Sequence, residues 1–579
     1  MNGDRTTRFS LCRAAAAAGL LAGLASGVGA DPRPQGDAVT VRVLPQAVAT
    51  NAAPTAFRMG FQVGLLEGSG NPFRAECARE ETVGGSGGGV TVHFLRDPAA
   101  GRSGFVAANA GERPGEVGLS TVPLRKGVRH SVRVVCRCVK GRGRFRFVFS
   151  PVGGEADATV EKKVSVRSDV PEERLFAVTP PREGVYRCAF VVEPGSELEF
   201  RQVSVVPDDA DKGFSPQPME ALRAVAPGAM HWPSRRDVSF YNWYDGVGPL
   251  AQRRSVSRVG RTEEGHDFGT VEFVAFSRLA GAEPVIRVPL FQAGLDDERV
   301  PDLAAGAQLA ADWVAYCNAT GDHPLAVLRS RHGHPEPLQV RRWELVAADG
   351  GRPAAAAVSA YAAAMTNAWA GLDLRVGEAP VCGVYDRYVA GVMNRLWAAG
   401  EAEQGYFGEW YATLGLAYAG LECLRRGPCG DVSTPFHPEE VLFRALYAKN
   451  MLTEAGLLMA LFNRHPAAEP LVTEGAPSEP DAPFRVQAAW TEGRSALVIF
   501  VYNSGPEARA VKLDLTPLRR RFAFWIEDQL AADITSRRAA RTVPVNRTQR
   551  AGAALTQYVV CEAAPSSFTR ILVQEVRGP

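Results

Sequence analysis

The chain turns on one segment, Arg331-His332-Gly333-His334-Pro335-Glu336-Pro337-Leu338-Gln339-Val340-Arg341-Arg342-Trp343-Glu344-Leu345-Val346-Ala347-Ala348-Asp349. A polar loop punctuated by proline runs into a short segment, Val340 to Val346, that reads as a buried strand. In a parallel barrel, the residues just past the C-terminal end of such a strand are where function collects. Here those residues are Ala347, Ala348 and Asp349.

At 579 residues the chain exceeds one ordinary domain, and three or four units are expected. A hydrophobic content of 46% with 22% charged residues is that of a globular protein. A net charge of +2 gives no electrostatic case for nucleic acid. Arg5, Arg8 and Arg13 precede a small apolar run, Ala14 to Ala25, and Val28-Gly29-Ala30 fits a cleavage site. Residues 1–30 therefore read as a signal peptide, and the run is too short to span a bilayer. The expectation is a secreted or periplasmic protein with no transmembrane segment after cleavage. Of ten cysteines, Cys12 leaves with the signal, so nine remain. Cys136-Arg137-Cys138 and the pair Cys423 and Cys429 read equally well as local bridges or as buried thiols. No Cys/His spacing resembles a zinc site, and no metal or cofactor is expected.

Residues 83–208 alternate apolar and polar positions in repeated runs, with Arg144-Phe145-Arg146-Phe147-Val148-Phe149 the clearest. Gly/Pro-rich turns separate the runs, which predicts a β-sandwich. The phenylalanine stripe reads as core, with a sugar-stacking platform as the alternative. Ala354 to Ala368 is helical by propensity. Pro438 to His465 carries apolar residues at helical spacing. Residues 466–579 are strand-rich again, with Ala496 to Tyr502 almost wholly apolar.

Several motifs resemble the α-L-arabinofuranosidases of glycoside hydrolase family 51. That family's signature is Gly-His-Pro-Glu-Pro, then Trp-Glu-Ile-Gly-Asn-Glu, whose last Glu is the acid/base. Here Gly333 to Pro337 and Trp343-Glu344 match, while Ala347-Ala348 stand where the Asn-Glu pair belongs. Tyr241-Asn242-Trp243-Tyr244-Asp245-Gly246-Val247-Gly248-Pro249, followed by Arg253, is similar to the family's Tyr-x-Trp-x-Asp-Gly-Ile-Gly-Pro. Ala311-Asp312-Trp313-Val314-Ala315-Tyr316-Cys317-Asn318 resembles a family helix. The resemblance implies a (β/α)8 TIM-type barrel with an inserted carbohydrate-binding-like β-sandwich and a C-terminal β-sandwich. It divides the chain into an N-terminal strand and start of barrel (31–82), the insertion (83–208), the barrel (209–465) and the C-terminal sandwich (466–579). The segment between Ala348 and Glu409 is short, which implies a barrel trimmed by one or two units.

The departures fall at the family's active centre. His231 replaces an arginine, Ser234-Arg235 replace two glycines, Gly64 replaces a sugar-binding glutamate, and the family's His-x-Tyr pair has no counterpart. Gly405-Tyr406-Phe407-Gly408-Glu409-Trp410 resembles the nucleophile strand, which makes Glu409 the candidate nucleophile and Asp386 its rival. The resemblance offers Trp343, Glu344, His231, Tyr241, Trp243 and Asp245 as substrate-binding residues. A retaining glycosidase needs two carboxyl groups about 5–5.5 Å apart. Alanine at 348 supplies none, and Glu344 lies about 13 Å back along an extended strand. Asp349 is the neighbour a loop brings closest. The expected function is an arabinose-polysaccharide- or oligosaccharide-directed protein with hydrolysis impaired or lost. An active retaining enzyme with a relocated acid and a non-catalytic surface-assembly protein are the alternatives. Trp232, Trp243 and Trp410 lining a cleft would favour sugar binding over the last of these.

Overall fold

In the computed structural model, residues 38–48, 56–63, 75–76, 86–87, 89–97, 102–153, 156–234, 237–238, 241–249, 253, 268–290, 302–347, 353–377, 384–385, 387–388, 409–426, 431–434, 436–438, 452–477, 479, 482–532, 545–553 and 557–576 are described. Residues 1–30, expected as a signal peptide, lie outside them. No helix among the described residues is long and apolar enough to cross a membrane.

Six strands form one parallel sheet in the order Asp373–Val376, Arg342–Ala347, Glu283–Leu290, Ala229–Trp232, Arg58–Gln62, Asp431–Ser433. Parallel neighbours need long crossovers, and helices supply them. Thr270–Leu279 joins the Ala229 and Glu283 strands, and Leu303–Asn318 with Pro324–Arg331 joins the Glu283 and Arg342 strands. The helix expected from Ala354 runs Ala355–Ala368. The single helix expected over 438–465 is shorter: Thr453 is an extended N-cap whose side chain accepts from Gly456 N, so the helix runs only Glu454–Asn463.

The sheet is curled, and one bond proves it. Arg287 donates from Nη2 to Ser433 Oγ at 3.2 Å. Two strands separate theirs in the sheet order. Three strand spacings in a flat sheet are about 14 Å, beyond an arginine's reach. The bond therefore crosses the inside of a cylinder as a chord.

Residues 86–207 form two antiparallel sheets. One runs Val160–Ser165, Arg144–Pro151, Gly184–Val192, Gly115–Leu124, Ser86–Gly87. The other runs Glu172–Val178, His130–Lys140, Glu197–Pro207, Arg102–Asn109, Val90–Asp97, with Ala75–Glu76 added on Glu197–Pro207. Phe105, Phe145, Phe147, Phe149, Phe190 and Phe200 fill one apolar core between them. The Phe145–Phe149 stripe faces inward and offers no platform to a sugar. Cys136 and Cys138 are free thiols, Cys136 inside this core and Cys138 half-buried.

The C-terminal strands build a nine-stranded sheet that takes in Val39–Ala47. That strand pairs parallel to Arg509–Asp514 and antiparallel to Ala467–Glu474. The apolar run Ala496–Asn503 is buried at every position. Its alternation explains this: Leu497, Ile499 and Val501 fill the sheet's own core, while Val498, Phe500 and Tyr502 face the barrel's core. Phe462, near the end of helix Glu454–Asn463, stacks on Phe500 at 4.6 Å and Phe568 at 5.1 Å between ring centres. The next residue, Asn463, hydrogen-bonds both backbone groups of Met59 and so fixes the first barrel strand. Phe462→Ala should cost about 3–5 kcal/mol in urea unfolding. A cost under about 1 kcal/mol would mean that barrel and sheet do not depend on this stack.

Candidate functional site

Strand alternation divides the barrel's side chains into two sets. Met59, Phe61, Met230, Trp232, Ile286, Val288, Trp343, Leu345 and Val432 belong to the helix-facing core. The residues between them point into the lumen: Gln62, His231, Arg287, Glu344 and Ser433. A barrel lumen is ordinarily packed with branched aliphatic side chains. This one carries a polar, charged layer, buried throughout.

Glu344 is its centre. Arg287 donates from Nε to Glu344 Oε2 at 2.8 Å, across directly paired strands in which Arg287 and Glu344 are register partners. His231 Nδ1 lies 3.3 Å from the same oxygen. Glu344 is 4% exposed and Arg287 1% exposed. Burial by itself raises the Glu344 carboxyl. The contact from His231 and the positive field of Arg287 more than offset it and hold the group down at about 2, against an ordinary 4.5. Glu344 is therefore ionised at neutral pH and carries no proton to donate.

The remaining expected site residues divide between core and unplaced positions. Trp343 is fully buried on the outer side of its strand, its indole N–H bonded to Val340 O and its ring against Trp313. Trp243 is 1% exposed and bonds Leu309 O. Tyr241 packs its ring on Trp232 and Trp313. All three are core residues; Trp343 points outward because its strand neighbour Glu344 points inward. Asp245 is buried in the 3-10 turn Trp243–Gly246. Ser234, adjacent to the Trp232 strand, bonds Asp237.

Glu409 does not end a strand. It opens helix Glu409–Arg426, whose Trp410 donates its indole N–H to Ser566 O in the turn before strand Ser567–Glu575 of the nine-stranded sheet. That helix packs on the sheet, and Trp410 docks it there. Residues 405–408, Ala348, Asp349, Arg235, Gly64 and Asp386 lie outside the described residues. Trp232, Trp243 and Trp410 are all core.

The motifs that carry the resemblance are structural pins. Asn318 exchanges two hydrogen bonds with the backbone of Val340 and sets the start of the Arg342–Ala347 strand. Arg329 binds the carbonyls of Tyr316, Ala319 and His334. Gly333 to Pro337 therefore sit before that strand, at the barrel end opposite Ala347. A cavity of about 370 Å³ there is lined by residues such as Gly321, Arg329, Ser330 and Glu336. In the loop 241–249, Gly246 and Gly269 are packed so closely that a Cβ on Gly269 would stand 1.9 Å from Gly246 O. Arg253 holds Glu272 through Nη1 and Nη2, at 3.0 and 2.8 Å.

Sequence reasoning missed Arg287 and Ser433. Arg287 had a signal, since a lone cation in the run Pro284-Val285-Ile286-Arg287-Val288 must be paired if buried. Ser433 had none. Among the described residues no group of three or more His, Cys, Asp or Glu side chains is placed to hold a metal.

Residues 220–370 match the α-L-arabinofuranosidase 1 domain. α-L-Arabinofuranosidase C of Emericella nidulans is 28% identical over 183 residues, 30% of this chain and 32% of that protein. The intracellular exo-α-(1→5)-L-arabinofuranosidase of Halalkalibacterium halodurans is 30% identical over 138 residues, 24% of this chain and 25% of that protein. The chain thus matches about a third or less of these curated relatives' length. The arabinose-bound MgGH51 α-L-arabinofuranosidase shares the fold, with a TM-score of 0.66 at 13% identity over 93% of this chain and all of that one. Curled parallel sheet, helix layer and strand-rich flanks are the fold shared with that arabinofuranosidase. Over residues 220–370 the chain carries the α-L-arabinofuranosidase 1 domain and is similar to α-L-arabinofuranosidases.

The Glu344 arrangement fixes a pH dependence. A carboxyl held below its unfolded value adds stability that is complete above about 4.5 and is lost as pH falls toward 2. Glu344→Gln should lower the melting temperature at pH 7, and the gap to the parent should close as pH drops from 5 to 3. A gap that stays constant over that range would show that Glu344 is not the group responsible.

Proposed function

We propose that the protein is an exported member of the α-L-arabinofuranosidase family directed at arabinose-containing polysaccharide or oligosaccharide, with hydrolysis impaired or lost. The observation that carries this is the state of Glu344. The family's proton donor is an alanine here, Ala348, and the nearest carboxylate on the same strand is ionised and committed to Arg287 and His231. A positioned acid contributes about 10²–10⁴-fold to such a step, and neither residue supplies it. The leader 1–30 supports a secreted or periplasmic location. The inserted sheets at 86–207 support a carbohydrate-binding-like sandwich by their resemblance to the family's insertion, with binding through something other than its buried phenylalanines.

One observation favours the non-catalytic surface-assembly reading. Trp232, Trp243 and Trp410, the aromatic groups that would mark a sugar cleft, are all core.

The test compares an activated aryl arabinofuranoside with a natural arabino-oligosaccharide. The parent chain should cleave the first slowly at best and leave the second intact. Ala348→Glu should raise oligosaccharide cleavage by about 10²-fold or more. Ready turnover of the oligosaccharide by the parent, abolished by Asp349→Ala, would establish a relocated acid and overturn this reading. Absence of any retention on immobilised arabinan would favour the assembly role.

A further inference from the structure

The helix-facing side of the barrel explains itself as packing, but the lumen does not. Arg287 uses Nε on Glu344 and Nη2 on Ser433, and its third nitrogen, Nη1, is buried with no hydrogen-bond partner. A guanidinium 99% buried with an orphaned nitrogen is out of place in a finished interior, where buried donors are almost always matched. Glu344 shows the complementary feature. His231 and Arg287 both address Oε2, and among the described residues no hydrogen bond falls on Oε1. A donor and an acceptor thus remain side by side on register-paired strands.

We propose that Arg287 and Glu344 together bind a neutral, hydroxyl-bearing sugar at the floor of the barrel. Guanidinium Nη1 donates to one hydroxyl, and carboxylate Oε1 accepts from the same or an adjacent one.

Charge selects this ligand class over the alternatives. The pair is formally neutral. An anion drawn to Arg287 meets the Glu344 carboxylate, and a cation drawn to Glu344 meets the guanidinium. A hydroxyl both donates and accepts, so a diol satisfies both orphaned atoms without importing charge into a low-dielectric interior, where an unpaired charge is heavily penalised. Hydrogen bonds to ionised partners are also the stronger kind, and they gain further when the partners polarise one another. Barrels of this kind receive ligands at the C-terminal ends of their strands. Arg287 and Glu344 each sit three residues before the last residue of their strands. The inference rests on the proposed sugar-directed function and adds to it a binding residue, Arg287, outside the matched motifs.

The test removes the pair without leaving a buried orphan charge. A single Arg287→Met strands Glu344 and is expected to destabilise the chain. The double variant Arg287→Met/Glu344→Leu replaces a buried pair by apolar side chains of similar volume, a change commonly neutral or stabilising. Titration calorimetry on the full chain would use L-arabinose, an arabino-oligosaccharide, D-galactose and the anionic D-galacturonate, with melting temperature recorded for each variant. The expected result is a double variant that melts at or above the parent and binds the neutral sugars about tenfold more weakly or worse. Unchanged affinity in a folded double variant overturns the proposal and leaves arabinose binding in place. Galacturonate binding tighter than the neutral sugars overturns the neutral-ligand assignment. A parent chain that binds galactose but neither arabinose probe sinks the arabinose-directed function alone, provided the double variant loses that galactose binding. A parent that binds none of the four sinks both.

Discussion

The charged pair inside the barrel constrains everything around it. Arg287 and Glu344 sit where a barrel of this kind normally packs aliphatic side chains, and two ions there are tolerated only in good geometry. The geometry is supplied by the sheet itself: parallel register sets the two side chains abreast, and curling brings Ser433 across the lumen to the guanidinium. Flatten the sheet and the chord breaks, leaving a buried cation with one bond fewer. The curl and the ionic layer therefore hold one another in place.

The same pair decides the chemistry available. A carboxyl in a dry interior rises toward neutrality unless something favours its charged form. Here His231 and Arg287 do so, and the balance falls on the ionised side. That makes Glu344 a good anchor and a poor acid. His231, where the resemblance puts an arginine, and Arg287 are the two groups that address Glu344.

The matched motifs set how pieces dock. Asn318 sets a strand start, Arg329 ties the loop before it, and the Gly246–Gly269 approach seats a long loop on its helix. These contacts lie behind or beneath the lumen, not at its mouth. A chain can therefore keep the architecture and lose the residues that act on a substrate, because different residues perform the two tasks. The strand Val39–Ala47 makes a related point: far apart in sequence, it and the C-terminal strands form one sheet that backs the barrel.

Much of the fold was legible in the residues alone. Alternation announced the two-sheet insertion and the inward phenylalanine stripe, alanine-rich propensity announced the helix at 355–368, and an apolar run announced the strand at 496–503. These are local periodicities, and the chain carries them whatever its partners. The candidate site was less legible. Whether Trp343 or Glu344 faces the lumen depends on register, and a one-residue shift exchanges them. Arg287 finds its acceptors 57 and 146 residues further along the chain, and Glu409 lies at the start of a helix whose Trp410 bonds Ser566 O, 156 residues away. The sequence determined which residue types were present and how often they recur. Only the closing of the sheet decided which of them meet, since contacts between distant strands are set by the packed whole and by no local pattern.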